Sequence, residues 1–119
     1  MNEERLKQIT FEIGLRCLQL CDAMPRTNSG YAISRQLSRC GTSVGANYRA
    51  ACRARSRPEM IARLAVVEEE ADETLYWLEM ATQMGITMPA DIDDFVGAVE
   101  KIIRITVSSI RTLRAKAKA

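Results

Sequence analysis

The chain contains no histidine, and aromatic residues make up only 5% of its 119 positions. Histidine is the usual general base and the commonest metal ligand near neutral pH. Its absence removes Ser-His hydrolysis, histidine-ligated zinc and the Glu-x-x-His signature of di-iron bundles. No Gly-rich phosphate loop is present, and no lysine occurs between Lys7 and Lys101. Ser43 therefore has no evident base to activate it as a nucleophile. The four cysteines, at 17, 21, 40 and 52, form no CxxC pair. Cys17 and Cys21 share a helical face, but Cys40 and Cys52 fall about 120° apart around a helix. Reduced, buried thiols are expected rather than a zinc site or disulfides. No apolar run approaches the roughly 20 residues that span a bilayer. The charged first residues lack the apolar core of a signal peptide. These absences argue against an enzyme, a metal, a cofactor, a small-molecule substrate and a membrane partner, and leave a soluble cytoplasmic protein as the expectation.

What is present is a segregated set of charges. Net charge is only +2, yet residues 29–57 carry six arginines and no acid. Residues 58–100 set Arg63 against eleven acids, and residues 101–119 carry six basic groups and no acid. Two readings fit this pattern. Acidic and basic helices can pack side by side, within the chain or across subunits. Alternatively, the basic faces meet phosphates.

The apolar pattern is helical throughout and predicts one all-α domain over residues 1–119. Its helices are expected at about 2–24, 29–54, 57–84 and 90–116, joined by short loops into an antiparallel up-down four-helix bundle. Leu6, Ile9, Ile13, Cys17, Leu20 and Met24 make the first stripe. Leu15 and Leu18 lie off it and suggest a second buried face. Asn2 can cap this helix, and Pro25 stops it. In the second helix, Arg35, Arg39, Arg49 and Arg53 fall within about 40° of one another's mean direction, at 100° per residue. Ile33, Leu37, Cys40, Val44, Tyr48 and Ala51 occupy the opposite side, between about 140° and 220°. Gly41 and Gly45, four apart, suggest close approach to a neighbouring helix.

Ser56, Pro58 and Glu59 read as a capping box opening the third helix. Met60, Leu64, Val67, Ala71, Leu75, Leu78 and Ala81 form its core stripe, and Gly85 closes it at the C′ position. The acids at 68–70, 72 and 73 are expected to face arginines. The fourth helix repeats Ile92, Phe95, Val99, Ile102, Thr106, Ile110 and Leu113, with Val96, Ile103 and Val107 widening the stripe. That excess of apolar surface points to a subunit interface.

Individual polar residues carry further expectations. Arg39 is expected to pair with Glu70 or Glu73, because an arginine facing another helix needs a carboxylate. Ser43 and Asn47, four apart, read as an interhelical hydrogen-bond pair. Trp77 reads as a core or interface anchor. Arg35, Arg49, Arg53, Arg55 and Arg57, with Arg111, Arg114, Lys116 and Lys118 in the basic tail, are the candidate nucleic-acid contacts.

The order of motifs is also familiar: Gln36-Leu37-x-Arg39, then Ser43-Val44-x-Ala46-Asn47-Tyr48-Arg49, then Ser56, then Glu70-Ala71-Asp72-Glu73-Thr74-x-Tyr76-Trp77-Leu78. Over about residues 8–115 this resembles a bacterial family of small four-helix bundles. Its members include proteins encoded within intervening sequences of 23S ribosomal RNA genes and the accessory variability proteins of diversity-generating retroelements. The resemblance implies a ring-like homopentamer with a basic surface, and for the retroelement members a nucleic-acid ligand and a reverse transcriptase partner. Two positions depart from the family pattern. Ala50 stands where many members have an acid, and Met60 where many have Phe. The expectation is a non-enzymatic oligomer that binds RNA or DNA backbone. The alternative is a homo-oligomeric protein-interaction scaffold that binds no nucleic acid.

Overall fold

The computed structural model describes residues 2–118, with side chains through Lys116. It is all-α, with four helices and, among the described residues, no strand. They are α1 (Glu3–Asp22), α2 (Asn28–Cys52), α3 (Arg57–Gln83) and α4 (Pro89–Lys118). The molecule is a rod of 52 × 23 × 22 Å.

Each boundary has a local cause. Asn2 Oδ1 accepts the Arg5 N–H at 2.8 Å and starts α1. Thr27 Oγ1 accepts the Gly30 N–H at 3.0 Å, so α2 begins at Asn28, one residue ahead of the sequence expectation. Ser56 Oγ accepts the Glu59 N–H at 3.2 Å and opens α3. The reciprocal half of the capping box is shifted: Glu59 Oε2 accepts the Arg55 N–H, at 2.8 Å, rather than that of Ser56. Gly85 lies at φ 75°, the left-handed conformation that ends α3 and that a side chain would strain.

The partners across each seam fix the direction of the helices. Thr10 meets Gly45 while Cys21 meets Ser34, so α1 and α2 run antiparallel. Thr74 bonds Cys40, and Leu64 packs with Ala51, so α3 runs back along α2. Leu64 also packs with Ile110, whereas Leu78 lies beside Ile92, so α4 returns along α3. Arg16 joins α1 to the start of α4. Its guanidinium makes two hydrogen bonds to Asp94, at 2.9 and 3.3 Å, and sits 4.7 Å from the Phe95 ring centroid. The main core contains Ile13, Cys17, Leu37, Val44, Val67, Leu78, Phe95, Val99 and Ile102. Burying such side chains stabilises the fold by roughly 1.5–3 kcal/mol each before the entropy cost is counted.

Apolar surface beyond the core lies on α4 and α1. Val96, Ile103 and Val107 of α4 are half-buried, because α4 lies against α3 and α1. α1 carries an exposed apolar line, with Phe11, Leu15 and Leu18 51%, 43% and 43% exposed. The second buried face expected for α1 is thus not buried within the chain.

The glycines of α2 let it approach α1 closely. A Cβ on Gly45 would stand 3.1 Å from the Thr10 carbonyl oxygen, and one on Gly41 would overlap the Cys17 side chain. A Cβ on Gly97 of α4 would meet nothing within 4 Å. Gly41→Ala should therefore destabilise by about 1–3 kcal/mol through overpacking. Gly97→Ala should stabilise by about 0.5–1 kcal/mol through helix propensity. Urea unfolding of the two variants checks both signs.

Candidate nucleic-acid interface

Antiparallel folding brings sequence-distant basic segments to one end of the rod. Ala51 of α2, Leu64 of α3 and Ile110 of α4 form a small apolar cluster there, with Tyr48, Ile61 and Leu113 against it. Around this cluster lie the last turn of α2, the α2–α3 loop and the C-terminal turns of α4. Arg49 sits in the last turn of α2, Arg53 is its C-cap, Arg55 is in the loop and Arg57 begins α3. Arg111, Arg114 and Lys116 project from α4. All seven are exposed, and among the described residues none is in an ion pair. The side chain of Lys118 lies outside the described residues.

The α1 N-terminus adds Arg5 and Lys7 to this end, together with Glu3 and Glu4. Lys7 pairs with Glu4 at 3.5 Å. The local acids are thus partly engaged: Glu4 faces Lys7, and Glu59 is occupied by the loop backbone. The opposite end carries Glu79, Asp91, Asp93 and Asp94 near the α3–α4 loop. Charge is therefore polarised along the rod.

Arg35 and Arg39 lie farther from the basic end, on α2. Arg35 is exposed. Arg39 sits between two acids of α3, with Nη1 3.2 Å from Glu70 and Nη2 bonded to Glu73. The Glu73 hydrogen bond holds the Arg39 pKa above the ordinary arginine value. This residue bridges helices and has little capacity left for phosphate. Ser43 and Asn47 do not link helices. Ser43 Oγ donates to the Arg39 carbonyl at 2.8 Å, and Asn47 Nδ2 donates to the Ser43 carbonyl at 2.9 Å. Polar side chains inside a helix commonly satisfy themselves on the preceding turn, and that local solution replaces the expected interhelical pair.

Two features escaped the sequence reading. Phe11 on α1 is exposed, and the Arg49 guanidinium lies over its ring, 5.4 Å from the centroid. Beside them a cleft of about 760 Å3 is lined by Arg5, Lys7, Phe11, Arg49 and Arg53, with Glu4 and Gln8 at its α1 side. The available signal was the spacing of Phe11, Leu15 and Leu18, which marks a second apolar line on α1 off the core stripe.

Among the described residues, no group of three acidic or cysteine side chains is placed to hold a metal. No helix among the described residues is long and apolar enough to cross a membrane. Fold and charge together define a small helical protein whose distinctive surface is a dense end of exposed arginines.

Comparison with known proteins gives the family. The model of the 23S rRNA-intervening sequence protein family matches residues 3–108, and the chain belongs to that family. A solved structure of similar shape comes from Bacteroides thetaiotaomicron, a protein of unknown function from the S23 ribosomal protein family. It is 29% identical, with a TM-score of 0.85, and the alignment covers 93% of this chain and 99% of that one. No curated protein matches the chain.

The four thiols are free, with Cys17 and Cys40 buried. Burial pushes the Cys17 thiol up from 9.0 to about 12, with Cys40 adding to the effect. The folded pKa lies above the unfolded one, so the neutral thiol's contribution is intact below pH 9.0 and is lost as pH rises toward 12. Urea midpoints should therefore fall above about pH 9, by the equivalent of roughly 1 kcal/mol near pH 10. The fall should be shallower in Cys17→Ala.

Proposed function

We propose that this protein is a non-enzymatic, homo-oligomeric accessory protein that binds the backbone of RNA or DNA through its arginine-rich end. The observation that carries the reading is the convergence of Arg49, Arg53, Arg55 and Arg57 with Arg111, Arg114 and Lys116 around one apolar cluster, unpaired and exposed. Exposed guanidinium groups without carboxylate partners are suited to phosphate, which they grip in a planar fork. Binding of this kind is sequence-tolerant and depends steeply on salt. Arg35, toward the α1–α2 loop, lies outside this surface. The cellular setting in this reading is the cytoplasm, and a reverse transcriptase is the partner suggested by the family resemblance.

The assembly in this reading is a ring-like homopentamer. Its support within the chain is the exposed apolar line formed by Leu15 and Leu18 on α1. Side by side on one helix, such residues favour burial against a second copy. The same line favours the second reading, a homo-oligomeric scaffold that binds protein partners and no nucleic acid.

Light scattering with and without a short structured RNA, at two salt concentrations, separates the readings. The nucleic-acid reading expects a particle that gains RNA mass at low salt and loses it at high salt. With about six phosphate contacts, affinity should fall roughly 10³-fold between about 50 and 200 mM salt. Simultaneous charge reversal at Arg49, Arg53 and Arg57 should abolish RNA binding and leave the particle mass unchanged. A particle indifferent to RNA at both salts supports the scaffold. A dissociated triple variant assigns those arginines to assembly.

A further inference from the structure

Resting on the nucleic-acid reading, we infer that the cleft between the start of α1 and the end of α2 is a site for an unpaired nucleotide of single-stranded RNA or DNA, with Phe11 as the stacking platform and Arg5, Arg49 and Arg53 as the phosphate contacts. The cleft holds about 760 Å3, within the roughly 300–1,000 Å3 typical of small-ligand sites. Its lining combines one aromatic ring with four cations, the carboxylate of Glu4 and the amide of Gln8. Phe11, 51% exposed, supplies a flat apolar surface in a chain with few aromatics. Arg5, Arg49 and Arg53 supply cations that have no carboxylate partner among the described residues, while Lys7 is held by Glu4.

A single-stranded nucleotide has the complementary pair of surfaces, a flat base and an anionic phosphate. A duplex does not, because its base faces are covered by their neighbours. Aromatic stacking of bases tolerates any sequence, since every base has a π-face. Arg49 already lies over the Phe11 ring, 5.4 Å from its centroid. Its planar guanidinium can continue a stack or swing to a phosphate. The position of Phe11 follows from the fold. On α1 it borders both the arginine cleft and the apolar groove that Gly14, Leu15, Leu18 and Gly45 line. Leu15 and Leu18 extend away from the basic end, toward the surface proposed for assembly.

The test compares a short fluorescein-labelled oligothymidine with a duplex of the same length, by anisotropy at fixed salt, for the wild type, Phe11→Ala and Phe11→Tyr. Particle mass is measured in parallel. The expected result is a wild-type preference for the single strand. Phe11→Ala should weaken single-strand binding by at least about fivefold and leave duplex binding and particle mass unchanged. Phe11→Tyr should retain the preference. Ultraviolet cross-linking of a 5-iodouridine strand should place the adduct on Phe11, within the tryptic peptide Gln8–Arg16.

Three results overturn the inference while leaving the broader reading intact. They are equal wild-type affinity for both forms, indifference of single-strand binding to Phe11→Ala, and equal weakening of both forms. A reduced particle mass in Phe11→Ala overturns it in a different way, by assigning Phe11 to a contact between copies. Failure of the wild type to bind either form removes the nucleic-acid reading and this site with it.

Discussion

The close approach of α1 and α2 is the constraint on which the rest of the molecule depends. Gly45 brings the α2 backbone against the Thr10 carbonyl, and Gly41 leaves room for the Cys17 side chain. Neither position tolerates a side chain without a shift, so helix propensity is sacrificed for proximity. That proximity fixes the register of the pair. It places Phe11 beneath Arg49, aligns the core stripes of both helices, and leaves Leu15 and Leu18 facing outward. A wider spacing would separate the aromatic ring from the arginines that flank it.

Electrostatics then follow from topology. The most basic segments are separated by more than 40 residues of acidic chain, yet antiparallel folding returns the C-terminal turns of α4 to the end where α2 stops. The acidic middle of α3 is matched where it needs to be, since Glu70 and Glu73 take Arg39 between them. Exposed pairs of this kind contribute little stability, typically less than about 1 kcal/mol. Their larger effect is to separate the arginines into two sets. Arg39 is spent on the fold, while Arg49, Arg53, Arg55 and Arg57 are left to solvent.

Much of this was legible beforehand because it rests on local rules. The caps at Asn2 and Ser56, the left-handed Gly85 and the helix spans depend on residues within a few positions of each other. The Arg39 pairing was legible from charge and helical phase. What failed were inferences needing a neighbour's exact position. Ser43 and Asn47 had the spacing of an interhelical pair, but the preceding turn was the nearer partner. The second apolar line of α1 had the look of a buried face, but Leu15 and Leu18 are left exposed.

The sequence by itself determined the class of fold and the inventory of chemistry. Periodicity of 3.6 residues, caps and breakers are properties of the chain alone, and so is the lack of histidine. Tertiary structure decided which arginines pair and which stay free, and that Phe11 stands in a basic cleft with Arg5, Arg49 and Arg53. It also decided that the basic segments share one end of the rod. The physical reason is that helical phase fixes the direction of a side chain around its own axis. The depth and offset of helix packing fix what that side chain meets.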